Sequence, residues 1–166
     1  MAGTSSFDVT TGVDFMEVKN AVEQATKEIT QRYDFKGVKA GIELSEKEKT
    51  ITLSAPDEFK LKAMWDVLQS KMVRRQVPLK NLKPGKVEPA AMGSARQTIA
   101  IQDGLTADMA REVARHIKDA KLKKMQAAIQ GDTVRVSSPS KDELQGVIAL
   151  LKQHDFGVEL RFGNYR

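Results

Sequence analysis

The hexamer RYDFKG at residues 32–37 interleaves two aromatic rings with both signs of charge and closes on a glycine. Arginine and lysine can hold a phosphate, and a tyrosine ring or guanidinium plane can stack on a base. The same six residues can equally seal the edge of a core. The C-terminal hexamer RFGNYR repeats the mixture, with Arg161 and Arg166 flanking Phe162, Asn164 and Tyr165. Paired guanidinium hydrogen bonds suit a phosphate there; alternatively Phe162 ends the last strand and Tyr165 frays. A third cationic group, Arg111, Arg115 and Lys118, falls on one face of a helix. It is read as a solvated face placed well for a helix C-terminus, in preference to a phosphate site.

Signals for catalysis are missing. His116 and His154 are the only histidines, without metal-ligand spacing such as HExxH, and there is no cysteine. No phosphate-cradling glycine loop of the GxGxxG or Walker type occurs. HDFG at 154–157 reads as a helix end with Gly157 as its C-cap. The expectation is therefore a non-enzymatic binder, with no catalytic residue, metal or cofactor. The N-terminus MAGTSSFDVTTG has no cationic start and no apolar run, and no window approaches a membrane span, which predicts a cytoplasmic protein that does not engage membranes. The net charge of +5 divides as +2 and +3 about residue 90, a mild bias toward anionic partners.

The elements that must position these residues come in two copies. TITLSAPDEFKL from Thr50 aligns with TVRVSSPSKDEL from Thr133 at an offset of 83. Upstream, FDVTTGVD aligns with IAIQDGLT at 92, and VKAGI with MQAAI at 87. Each copy reads strand, helix, strand, strand, helix, strand. In the first, Phe7 and Val9 alternate with polar residues, Asp14 caps a helix carrying Phe15, Val18, Val22, Ala25 and Ile29, and Val38–Leu44 and Thr50–Ser54 form a hairpin. Pro56 then opens a second helix through Leu61, Met64, Leu68 and Met72, and Val77–Leu79 closes the copy. This predicts an α+β fold: a tandem duplication of ferredoxin-like βαββαβ domains, each with a four-stranded antiparallel sheet and two helices. The domains are expected at 1–90 and 91–166, with a linker rich in Pro, Gly and Ala from about residue 82.

The drop in offset from 92 to 87 leaves five extra residues between helix and strand in the first copy. The surplus falls where RYDFKG sits, whereas the second copy makes the same connection through DAKLKK, so the fold can dispense with the hexamer. The two sheet faces turned away from the helices should carry Ser6, Asp8, Thr10, Thr52, Ser54, Thr98, Ala100, Gln102, Arg135 and Ser137. With no aromatic among them, RNA-type base stacking on the central strands is not expected.

Several segments together resemble one family. RYDFKG after a long first helix, RQT at 96–98, Gln102-Asp103-Gly104 through Asp108-Met109-Ala110, KLKKMQAAIQGDTVRV from Lys121, GVIALL at 146–151 and the terminal FGNYR are similar to the YajQ family of bacterial nucleotide-binding proteins. The resemblance runs from Ser5 to Arg166. It implies two RNP-like domains that exchange N-terminal strands, 5–10 completing the second domain and 96–102 the first. It further implies a nucleotide ligand, cyclic di-GMP or GTP-like, in an effector acting on gene expression. An RNA-binding protein and a transcription-associated adaptor are the alternatives, with RNA or a transcription factor as partner. The nucleotide-binding candidates are Arg32, Tyr33, Lys36, Arg96, Arg161, Asn164, Tyr165 and Arg166.

Overall fold

A computed structural model describes residues 3–166. Antiparallel strands build two sheets, and four helices cover one face of each. The chain divides into a contiguous unit, Val13–Gln102, and a split unit made of residues up to Gly12 together with Asp103–Arg166.

In the split unit the sheet contains β1 (Ser5–Thr10), β7 (Gln126–Gln130), β8 (Thr133–Ser138) and β9 (Arg161–Gly163), in the order β7-β8-β1-β9. In the contiguous unit β2 (Gly41–Ser45), β3 (Thr50–Ala55), β6 (Ala95–Ile101) and β4 (Leu82–Pro84) follow the order β2-β3-β6-β4. A two-residue strand, β5 (Glu88–Pro89), adds to the edge of β6 beside β4. Each sheet thus takes its first ferredoxin-like strand from the other copy of the repeat. β1 pairs with β8 from Ser5↔Ser138 to Val9↔Val134, and β6 pairs with β3 from Thr50↔Ala100 to Ala55↔Ala95.

All four helices begin on a side-chain cap that accepts an otherwise unpartnered backbone N–H. For α1 (Phe15–Gln31) and α2 (Glu58–Arg74) the caps are Asp14, accepting from Met16, and Asp57, accepting from Lys60. For α3 (Ala107–Asp119) and α4 (Lys141–Lys152) they are Thr106, accepting from Met109, and Ser140, accepting from Glu143. The buried residues of α1, Val18, Ala21, Val22, Ala25 and Ile29, recur at helical spacing and pack on α2 and the sheet. On the strands, Ile51, Leu53, Ile99, Phe7, Val9, Val134 and Val136 are fully buried while their alternate neighbours face outward.

Four local expectations are corrected. Pro56 lies outside α2, whose cap is Asp57. The strand expected at Val77–Leu79 falls at Leu82–Pro84 because a Schellman ending of α2 takes Gln76 and Val77 and a 3-10 turn takes Leu79–Asn81. Gln76 adopts φ 60°, its N–H donates to the Val73 carbonyl, and the Val77 N–H donates to Met72 at 2.9 Å. The fully buried Asn81 then ties the start of β4 to the end of β6, its Nδ2 donating to the Gln102 carbonyl at 2.9 Å. In the split unit the last strand begins at Arg161, beyond the expected Val158 and Leu160. Gly157, finally, is no helix cap: α4 ends at Lys152, and the Gly157 N–H donates to the Asp155 carboxylate at 2.8 Å in an Asx turn.

Candidate functional site

On β9 the alternation turns Phe162 toward the helices, where it meets the Phe7 ring edge-on at 6.0 Å, and turns Arg161 and Gly163 to the open face. Pairing with β1 continues past the end of β9 through an irregular step. Gly163 lies opposite Asp8, and Arg166 exchanges both backbone hydrogen bonds with Ser6, at 3.0 and 3.1 Å. Asn164 and Tyr165 therefore share the space opposite Phe7, a β-bulge in which Asn164 takes φ 53°. The bulge splits its two side chains. Tyr165 packs against Phe7 with ring centroids 6.1 Å apart, whereas Asn164 reaches over the open face and donates to Asp8 Oδ2 at 2.7 Å.

Asp8 is the centre of that face. Its Oδ1 accepts from Nε of Arg135, the residue opposite it on β8, at 3.0 Å. The hydrogen bond from Arg135 holds the Asp8 carboxyl below the ordinary carboxylate range; partial burial opposes this, and Asn164 and the nearby Arg166 reinforce it. The Arg135 guanidinium is in turn pushed up, chiefly by its bond to Asp8. At the far end of β9, Arg161 lies opposite Thr10, with Nη1 3.6 Å from where a Cβ on Gly12 would sit. Asp103 Oδ1 would be only 2.8 Å from that atom, so a side chain at position 12 would have to push the Asp103 carboxylate aside. Arg135, Arg161 and Arg166 thus line one face of one sheet around the Asp8 carboxylate, with Asp103 meeting Arg161 at the position of Gly12.

Because the carboxyl of Asp8 titrates lower in the folded chain than in the unfolded one, its contribution is complete above the unfolded value of about 3.9 and disappears as pH falls through the folded value. Wild type should therefore exceed Asp8→Asn in Tm at pH 7, and the gap should close as the pH drops below about 4. A gap that stayed constant from neutral to acid pH would refute this ion pair.

RYDFKG lies in the contiguous unit and divides by residue. Arg32 ends α1 with extended backbone, and Tyr33–Phe35 make one 3-10 turn. Phe35 is buried at 4% exposure, beneath Lys60 Nζ at 5.2 Å and the Arg32 guanidinium at 5.6 Å from its ring centroid. Arg32 donates to both carboxylate oxygens of Asp34, at 3.0 and 2.9 Å, a fork that raises its own pKa and lowers that of Asp34. Tyr33, 88% exposed, has Lys36 Nζ 5.8 Å from its ring centroid. Arg96 stands on β6 between Ser54 and Glu88, its buried neighbour Ala95 facing the core, so it projects from the opposite side of the sheet to Phe35.

The fold accordingly gathers Arg161, Asn164 and Arg166 on one open sheet face, turns Tyr165 away from them, and leaves Arg32, Tyr33 and Lys36 together on a loop with Arg96 apart. The sequence candidates omit Asp8 and Arg135, which complete that face. They are 127 positions apart in the chain, and only the register of β1 on β8 joins them; the exchange of N-terminal strands is the one signal able to pair them. Among the described residues no cluster of acids and histidines could hold a metal ion. No helix of the described residues is long and apolar enough to cross a membrane.

Comparison with known proteins agrees with the residues quoted above. Residues 5–166 match the family described as nucleotide-binding protein YajQ-like. A protein of Carboxydothermus hydrogenoformans named a nucleotide-binding protein is 52% identical over the full length of both chains. Another of that name, from Koribacter versatilis, is 52% identical over 98% of this chain and 97% of its own. A third, from Alkaliphilus oremlandii, is 45% identical over the whole of both. The chain belongs to the YajQ-like family of nucleotide-binding proteins.

Proposed function

We propose that this chain is a non-enzymatic nucleotide-binding effector whose ligand is cyclic di-GMP, held on the open face of the split unit. The observation that carries the reading is the arrangement of guanidinium groups. The bulge at Asn164 brings Arg161 on β9 and Arg166 beyond it to one face of the sheet, with Arg135 across the sheet and already matched by Asp8. Guanidinium planes grip phosphate oxygens in pairs and stack on purine rings, and a cyclic dinucleotide presents two of each. Tyr33 and Lys36 form a second, smaller aromatic and cationic pair on the contiguous unit, and Arg32 and Arg96 are its further candidates. The names of the relatives support nucleotide binding without specifying the base or an output in gene expression.

Titration calorimetry with cyclic di-GMP, GTP and GMP tests the proposal. Heat is expected with cyclic di-GMP, and Arg161→Ala or Arg166→Ala should weaken it roughly tenfold each, the loss typical of a hydrogen bond to a charged group. No heat with any of the three would sink it. An RNA-binding role would instead give affinity for single-stranded RNA that falls steeply with salt; the lack of aromatic side chains on the open central strands argues against it. An adaptor role would appear as a stoichiometric protein partner independent of nucleotide.

A further inference from the structure

The cationic face of α3 is more than a solvated surface. Between α3 and β7 runs a groove of about 730 Å³, with Arg111, Arg115 and Lys118 along its helix side, Asp119 the one acid at the helix end, and Leu122, Met125, Ala127 and Ile129 along the connection and strand opposite. Ile129 is 45% exposed, an apolar side chain in a strand that has no partner on its outer edge among the described residues. Arg111 contacts Asp108, while Arg115 and Lys118 form no ion pair among the described residues. Folded proteins usually protect such an edge with a charge, a proline or a bulge. The strand QAAIQ has none, and its pairing with β8 is regular from Gln126↔Ser137 to Gln130↔Thr133.

The other copy of the repeat shows the contrast. Val38, Ala40 and Ile42 stand where Met125, Ala127 and Ile129 stand in the split unit, at the offset of 87. There α1 runs on to Gln31, Phe35 is buried in the adjoining turn, and the cavity beside Val38 and Ala40 holds about 260 Å³. Its edge strand, β2, also carries the charge of Glu43. Only the copy without RYDFKG keeps a long open groove beside an unprotected edge.

We infer that the α3–β7 groove docks an extended acidic segment of a partner protein, added to β7 as a further antiparallel strand. The open backbone groups of β7 supply the ladder, the apolar floor takes alternate side chains, and the arginines and lysine meet carboxylates. A second copy of this chain does not fit, since pairing β7 with itself would set two cationic α3 faces side by side. The five residues of β7 span roughly 17 Å, the length of a five- or six-residue strand segment.

The test uses the full chain labelled with nitrogen-15 and the probe peptide acetyl-Ser-Glu-Thr-Leu-Thr-Asp-Thr-Val-Ser-amide, which places Glu, Leu, Asp and Val on one face. Amide resonances of Gln126–Gln130 are expected to shift on titration. Binding should weaken roughly tenfold, the sum expected of two exposed charge contacts reversed, in the double variant Arg115→Glu, Lys118→Glu. A peptide with Gln and Asn in place of its acids should lose affinity similarly, and one methylated on the amides of its pairing edge should not bind. Three results would each overturn the inference: no shift up to the solubility limit of the peptide, shifts mapping elsewhere, or affinity indifferent to both charge changes. Displacement of the peptide from these amides by GMP would also overturn it, reassigning the groove to a nucleotide.

Discussion

Phe7→Ala should cost the split unit about 3–5 kcal/mol, the range for emptying a fully buried aromatic site. Phe7 is completely buried, and its ring is edged by Phe162 and Tyr165. Its strand is also one of the two interior ones, carrying β8 on one side and β9 on the other, so the cavity would open where both ladders meet. Against a total stability of about 5–15 kcal/mol for an ordinary domain, this is a large share. Hydrogen exchange locates the effect: amides of Val134 and Val136 should lose protection, while those of Ile51 and Leu53 in the contiguous unit keep theirs. Equal loss in both units would show that the core around Phe7 does not belong to the split unit alone.

The second large effect is expected at Phe35. Truncation to alanine should cost about 3 kcal/mol in urea unfolding, because the ring is buried and fills the space between the end of α1 and the start of α2. Lys36→Ala, one residue away on the exposed side of the same turn, should stay within about 0.5 kcal/mol of wild type while weakening nucleotide binding only at the second, smaller pair it forms with Tyr33. The two variants separate the roles that RYDFKG combines. If Lys36→Ala bound every nucleotide as wild type does, Lys36 would leave the candidate site; if Phe35→Ala were neutral, the hexamer would have no structural role.

Much of the fold can be read from the chain. The helices are legible because their apolar residues recur at helical spacing behind a capping Asp, Thr or Ser, and the α+β class follows from two copies of one element order. Helix and strand ends are not. The Schellman ending of α2 depends on Gln76 adopting positive φ, which no local pattern of hydrophobicity announces, and with the 3-10 turn after it displaces the following strand by five residues. The site is legible only as residue types. That Arg161, Asn164 and Arg166 share a face depends on a bulge, and that Asp8 meets Arg135 depends on a ladder between distant segments. Periodicity specifies which side of a strand is buried and is silent about which strand lies beside it. The repeat arithmetic isolates RYDFKG as surplus to the fold, and reading the hexamer residue by residue assigns Phe35 to the core of the first domain, where it is buried.

The split unit has a consequence for synthesis. The contiguous unit holds every strand it needs once Gln102 has left the ribosome, including β6 at its centre. β1 has been made long before, but its two neighbours are β8 and β9, and β9 ends only at Gly163. At about 5–20 residues per second, about 8–30 seconds separate the completion of β1 from that of β9, the strand that closes its second edge. One half of the molecule can mature while the chain is still growing; the other can close only when its earliest and latest strands finally meet.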